Sequence, residues 1–381
     1  MHKIPLFKIY TDQDDVKAVT KVVKSGMYWA IGPDIEAFEN ALAKYVGTKY
    51  ALAFNSGTSA LHALAIAYGF KEKDEVIVPS FSFIATANTP LFVGAKPVFA
   101  EIKDDDFGLD PKSVEDKITS RTKAIIAMHY GGGTCDIQSI KKIAKKHKLI
   151  LIEDAAESLG SKVGKTMVGN FGDSAIFSFC GPKVITTGEG GAITTNNKDL
   201  YEKLKLVRSH GRLETENYFS STAFMEYATL GYNFRMSTMT AALGSSQLKK
   251  INKIISLRRK NAKYLDYKLS KVENIILPKA NKESLHVYQM YTIIVKEGKA
   301  VRDSLKKYLH KKGIMAKIFF DPVHLSYFYR NSHGYKKGYL KFTENLSEKV
   351  LSLPMYPGLT KSEMDYMTKS IIDFFQYDFN K

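Results

Sequence analysis

The residues with the clearest chemical possibilities fall in three stretches of the first half of the chain. In Ser174-Ala-Ile-Phe-Ser178-Phe-Cys-Gly-Pro-Lys183-Val-Ile-Thr-Thr-Gly188-Glu189-Gly190-Gly191, a lone lysine follows a strand-like run and precedes a glycine-rich turn. Lysines ordinarily lie solvated on helix faces. Apolar and small neighbours such as these would depress the amine's pKa and favour Schiff-base chemistry. In Leu149-Ile-Leu-Ile-Glu153-Asp154-Ala-Ala-Glu157, two acids end an apolar run and a third follows one helical turn later. A carboxylate there could hold a pyridinium, hold a metal or cap the next helix, and with no histidine nearby a metal is the weaker reading. In Asn55-Ser56-Gly57-Thr58-Ser59, small residues and hydroxyls lead into a helix, where backbone N–H groups and the helix dipole favour an anion. The plainer reading of that stretch is an N-cap.

Taken together, an anion cradle, a strand-end aspartate and a lysine 29 residues after it make the minimum set for pyridoxal 5′-phosphate. The cradle would hold the phosphate dianion, Asp154 would keep the ring nitrogen protonated, and Lys183 would form the internal aldimine. Once displaced by an amino donor, the lysine becomes the base that moves a proton between substrate and cofactor carbons.

These groups need elements to position them. Asp34 to Tyr45 has a helical apolar period, and a second helix runs from Ala60 to Tyr68. Glu75–Pro79, Lys96–Ala100, Ala124–Met128 and Leu149–Ile152 are short, β-rich apolar runs between helical segments. That alternation predicts an α/β fold with a mainly parallel sheet covered by helices on both faces. In such sheets functional groups gather beyond the carboxyl ends of the strands. A long charged helical stretch is expected from about Met239 to Ser270. After it come Val287–Val295, a helix at Ala300–Lys312, a strand-like Ile314–Phe320 and a final helix from Lys361 to about Phe375. The expected division is a large domain over 1–250, including an N-terminal segment, and a smaller α+β domain over 251–381.

Composition bounds the rest. The 381 residues are 44% hydrophobic and 25% charged, an ordinary globular balance that excludes wholesale disorder. Only Cys135 and Cys180 are present, which excludes a disulfide scaffold and a cysteine zinc site, and no metal is expected. No signal-peptide or membrane-spanning run is apparent, so the reading is a cytoplasmic protein without a membrane partner. The net charge of +17 could mark nucleic acid, a membrane or a phosphorylated ligand as partner. The plainer account is lysine on solvated helix faces. Ile140-Lys-Lys-Ile143-Ala-Lys-Lys-His-Lys-Leu149 shows it, with isoleucines at helical spacing and lysines opposite. Nucleic-acid binding is disfavoured.

Across essentially the whole chain these motifs resemble the fold-type I, PLP-dependent sugar aminotransferases of the DegT/StrS group. Phe177–Gly191 (FSFCGPKVITTGEGG) carries the resemblance most specifically, followed by Gly231–Ser237 (GYNFRMS), with Gly32-Pro33 and Ser352–Pro357 near the two ends. The resemblance implies that Lys183 is the Schiff-base lysine and Asp154 the partner of the pyridine nitrogen. It implies that Gly57, Thr58 and Ser178 bind the cofactor phosphate and that Phe83 stacks on the ring. Asn233 matches a residue reaching the phosphate from a neighbouring subunit, which implies a homodimer with shared sites. Glu157 matches a position facing the sugar and ring. Two departures stand out: Pro182, where polar residues are common, and Gly131-Gly-Gly133-Thr-Cys135, which could alter a local turn.

A lysine at 183, rather than the histidine of a deoxygenating branch, argues for transamination over dehydration. The resemblance further implies a nucleotide-linked keto sugar as acceptor and an amino acid, glutamate, as donor, for glycan or polysaccharide biosynthesis. Glutamate at 157 resembles the branch aminating C4 of 4-keto-6-deoxyhexoses, with C3 as the alternative. A non-catalytic regulatory protein is a further alternative, against which the complete set of site residues speaks. Lys24, Arg208, Arg212, Arg235 and Lys317 are candidates for the pyrophosphate, and His286 and His324 belong to segments expected near the cleft.

Overall fold

The computed structural model describes residues 3–213, 226–280 and 283–378. Its centre is a sheet of seven strands: β1 (Tyr50–Phe54), β2 (Glu75–Pro79), β3 (Lys96–Ala100), β4 (Thr122–Met128), β5 (Ile150–Asp154), β8 (Ser174–Ser178) and β9 (Gly191–Thr195). Between β5 and β8 lies a hairpin of β6 (Lys162–Val163) and β7 (Thr166–Met167). The spatial order is β1-β9-β8-β5-β4-β2-β3, and every pairing is parallel except those of β9. Because β9 is antiparallel to both neighbours, β1, β5 and β8 all point the same way. Their carboxyl ends share one sheet edge, and the three chemical stretches start there. Residues from both strand faces are buried, as in Val76, Ile77 and Val78 or Ile125, Ile126 and Ala127, which is why these strands are continuously apolar.

The covering helices follow their patterns. Pro33–Val46 buries Phe38, Leu42, Ala43 and Val46 and stops at Gly47, whose φ of 91° suits glycine. Ile137–His147 buries Ile140, Ile143 and Ala144 and leaves its lysines outward, so that basic run is an ordinary surface helix. The stretch expected as one helix over Met239–Ser270 is two, Thr238–Lys249 and Ile251–Leu269. Lys250 leaves helical geometry between them, and its ammonium pairs with Asp12 and, at 3.0 Å, with Asp15. Those acids form the capping box of the helix Gln13–Ser25.

The C-terminal part is α+β. β10 (Ile275–Ile276), β12 (Tyr291–Val295) and β13 (Val350–Leu353) form an antiparallel sheet against the helices Ile251–Leu269, Lys299–Lys311 and Lys361–Asp373. Its core joins Leu265, Tyr291, Leu305, Leu351 and Ile371 with Ile4 from the chain's beginning. β11 (Ser284–Leu285) instead pairs with β6 and ties this part to the hairpin between β5 and β8. Ile314–Phe320, expected as a strand, makes only single bridges among the described residues, Ile4 to Ile314 and Lys317 to Ser352. Its alternation is real but serves a wall: Ile314 and Ala316 are buried, whereas Met315, Lys317 and Phe319 face a cavity.

Candidate active site

At the carboxyl ends of β1, β5 and β8 lies a cavity of about 470 Å³, lined also by Met315, Lys317, Phe319 and Phe320 and by Leu6 and Phe7. The first element of its floor is the start of the helix Gly57–Ala67. Ser56 is the N-cap, its Oγ accepting from the Ser59 N–H at 3.0 Å, so the plainer reading of this stretch is correct. Capping leaves the first N–H groups of a helix, here those of Gly57 and Thr58, without an intrahelical acceptor. Both residues line the cavity beside Ser178. A Cβ on Gly57 would come within 3.2 Å of Ser178 Cβ, and one on Gly191 would lie 2.4 Å from the Ser56 carbonyl carbon. The glycine-rich turn after Lys183 thus lets β9 press against the cradle.

The two acids ending β5 point to opposite faces of the sheet. Glu153 accepts from the N–H groups of Gly169 at 2.9 Å, Phe171 at 2.7 Å and Gly172 at 2.8 Å, and meets His129 Nε2 at 3.1 Å. Asp154 lines the cavity, accepting from Thr86 Oγ1 at 2.6 Å and from the Ala156 N–H at 3.1 Å. Burial raises the Asp154 carboxyl above its ordinary range, against the pull of these donors and of Lys183.

Lys183 extends from the turn after β8 into the same space, its Nζ 3.4 Å from Glu157 Oε1. Glu157 is itself fixed by the Gly131 N–H, 2.9 Å from Oε2, and burial raises its carboxyl while Lys183 opposes the shift. Both departures find physical reasons here. Gly131 adopts φ 61°, aiming its N–H at Glu157, and a Cβ on Gly132 would lie 2.5 Å from the Gln289 amide nitrogen. Pro182 lends its carbonyl instead of a side chain, accepting from Gln289 Nε2 at 2.7 Å.

A lysine amine, a buried acid and an anion cradle therefore share one cavity, and comparison with known proteins gives the arrangement its context. The sequence model of the DegT/DnrJ/EryC1/StrS aminotransferase family matches residues 10–372. The chain belongs to that family. It is 38% identical to a GDP-perosamine synthase of Caulobacter vibrioides over 88% of each chain. It is 35% identical, over 96% of each chain, to the UDP-4-amino-4,6-dideoxy-N-acetyl-beta-L-altrosamine transaminase of Helicobacter pylori. The solved structure of Helicobacter pylori PseC, an aminotransferase involved in the biosynthesis of pseudoaminic acid, superposes with a TM-score of 0.91 at 33% identity, covering 98% of this chain and 99% of that one. The protein is accordingly an enzyme, a PLP-dependent sugar aminotransferase with the fold-type I architecture.

The residues of this DegT/StrS enzyme fit pyridoxal phosphate. The small-residue corner at Gly57 and Ser178 leaves room for a phosphate, and the amine and the acid stand ready for the aldehyde and the ring nitrogen. Phe83 is 59% exposed at the start of the helix Ile84–Leu91 and lines the cavity, so plain core packing does not describe it. Asn233 lies outside this cavity, exposed at the surface, where its carbonyl accepts from Asn55 Nδ2 at 3.3 Å.

Of the five basic candidates, Lys317 lines the cavity. Arg208 is spent on Glu39 and the Ala53 carbonyl, and Arg212 and Arg235 both reach Ser209 Oγ. Lys24 ends the helix Gln13–Ser25, outside the cavity. His324 is a packed histidine between Ser80 at 2.7 Å and Glu344 at 3.0 Å. His286 lies outside the cavity as well, where burial and Arg259 push its pKa down to about 3. Thr86, Gln289, Leu6 and Phe7 went unnoticed in the sequence. For Thr86 a signal existed, one helical turn after Phe83 beyond the end of a buried strand.

Proposed function

We propose that the enzyme moves an amino group from glutamate to C4 of a nucleotide-linked 4-keto-6-deoxyhexose, in the biosynthesis of a glycan or polysaccharide. The observation that carries the reading is the lysine amine of residue 183 in one cavity with the buried Asp154 carboxylate and the Gly57–Thr58 helix start. The relatives' names share a nucleotide-linked sugar but differ in base, GDP in one and UDP in the other, so the shared part is what is proposed. One name specifies a 4-amino-4,6-dideoxy sugar, which together with Glu157 favours C4 over C3.

The residue roles follow from chemistry. When bound, pyridoxal phosphate supplies an aldehyde for an amine and a ring that withdraws electrons. Gly57, Thr58 and Ser178 bind its phosphate through N–H and hydroxyl donors. Phe83 orients the ring by offset stacking and shields it from water. Asp154 holds a proton on the ring nitrogen, keeping the ring electron-poor. Lys183 would take up at Nζ the proton from the donor's α-carbon, and Glu157, in contact with that amine, would face the sugar. Lys317 meets the negative charge of the substrate diphosphate. Asn233 reaches the cofactor phosphate of a partner subunit in a homodimer, a reading supported by its exposure; a catalytically competent monomer would overturn it.

The test is a panel of 4-keto and 3-keto nucleotide sugars supplied with glutamate, read by product mass and NMR. The expected result is a 4-amino sugar together with 2-oxoglutarate. Amination confined to 3-keto substrates would move the assignment to C3, and release of ammonia without amino transfer would point to dehydration instead.

A further inference from the structure

The helix Ile84–Leu91 buries two threonines, and they use their hydroxyls differently. Thr89 donates to the Ala85 carbonyl at 2.9 Å, the usual habit of a buried helical threonine. Thr86 turns away from the backbone and donates to Asp154 Oδ2 at 2.6 Å, within the range of a charge-assisted hydrogen bond. Its Oγ1 also lies 2.7 Å from Ser82 Oγ. A carboxylate only accepts, so the single hydroxyl hydrogen of Thr86 is committed to Asp154 and Ser82 must be the donor to Thr86. The sense of the chain Ser82 to Thr86 to Asp154 is therefore fixed by valence. All three residues are at most 3% exposed, so bulk water has little access to these bonds.

We infer that Thr86, backed by Ser82, is a positioning residue that holds Asp154 ionised and aimed at the pyridine nitrogen of the cofactor. The two donors occupy different carboxylate oxygens, Thr86 on Oδ2 and the Ala156 N–H on Oδ1, which fixes the rotation of the group about its own axis. Without the hydroxyl, a carboxylate already disfavoured by burial keeps one backbone donor and a free torsion.

The inference rests on the proposed contact between Asp154 and the ring nitrogen, and the experiment separates the two claims. Apoprotein is reconstituted with pyridoxal phosphate and with its carbocyclic analogue, in which C–H replaces the pyridine nitrogen, and the affinity ratio is measured. The parent protein is expected to favour the natural cofactor. Thr86→Val should shrink that preference by about tenfold, with the affinity for the analogue changed by no more than about twofold. Thr86→Ser, which keeps the hydroxyl, should restore it. Ser82→Ala should shrink the ratio by a smaller factor, about threefold, because it weakens the relay without breaking it. Equal affinities in the parent would overturn the role of Asp154 itself. A parent that discriminates, with an unchanged ratio in Thr86→Val, would overturn the role of Thr86 alone. Should Thr86→Val fail to fold, an unchanged ratio in Ser82→Ala overturns the relay.

Discussion

Glu153 and Asp154 are chain neighbours, both buried and both carboxylates, yet the two faces of β5 put them to opposite uses. On one face Glu153 is saturated: three backbone N–H groups and the His129 ring hold it, and it fastens the loop at Gly169–Gly172 to the sheet. On the other face Asp154 has two donors and the cavity before it. A buried charge whose hydrogen-bonding capacity is filled inside the protein serves the fold. One left short of partners and turned to a cavity is disposed toward a ligand.

The largest effect is expected at the amine that faces Asp154's side. Lys183→Ala should abolish turnover with an unchanged circular dichroism spectrum, and borohydride reduction followed by peptide mapping should label position 183 in the parent only. Retained turnover would remove the lysine from the chemistry. On the other face, Glu153→Ala should destabilise the protein by about 3–5 kcal/mol in urea denaturation, because it strands His129 and the three N–H groups. A mild effect there would mean that the two acids are not different in kind.

Asp154→Asn should lower kcat by about 100-fold or more. Its effect on the fold should be the reverse of its neighbour's. Burial raises the folded carboxyl above its unfolded value, so the folded protein retains that proton at pH values where the unfolded chain has lost it. The charge therefore costs stability above the ordinary carboxylate range, and the cost fades as pH falls through it. The apoprotein of Asp154→Asn should melt above its parent at pH 7, with the gap closing by about pH 4. A lower melting temperature at pH 7 would contradict the assignment. The smallest change is expected from Phe83→Ala, which should weaken cofactor binding by about threefold to tenfold in spectroscopic titration and leave the melting temperature of the apoprotein in place.

The central sheet was legible because its information is local. β2 and β3 are short apolar runs, each opened by one charged residue, and the structure keeps their sequence-derived limits, Glu75–Pro79 and Lys96–Ala100. Of the candidate residues, Gly57, Thr58, Ser178 and Asp154 lie at or just past strand ends and Lys183 lies in the turn after β8, so their meeting in one cavity follows from the order of the strands. What stayed hidden depends on distant partners. Nothing in the helical pattern around Lys250 marks the break; its ion partners, Asp12 and Asp15, lie far back in the chain. Residues 314–320 alternate as a strand should, but only a three-dimensional neighbour could show that they face a cavity instead of a ladder. Gln289 was silent because a glutamine before a strand has many ordinary uses, and the signal at Thr86, its place one turn after Phe83, is one that an ordinary buried helical threonine shares.

Ile4 is buried in the C-terminal core, its N–H donating to the Gly313 carbonyl at 3.0 Å and its carbonyl accepting from Met315 at 2.9 Å, and two residues on the chain runs along the cavity through Leu6 and Phe7. Residues 4–7 thus act as clasp and lining at once. Proteolytic trimming there would loosen the far end of the molecule and alter which acceptor sugars fit by the same cut, so thermal tolerance and substrate choice should drift together in any library that varies this segment.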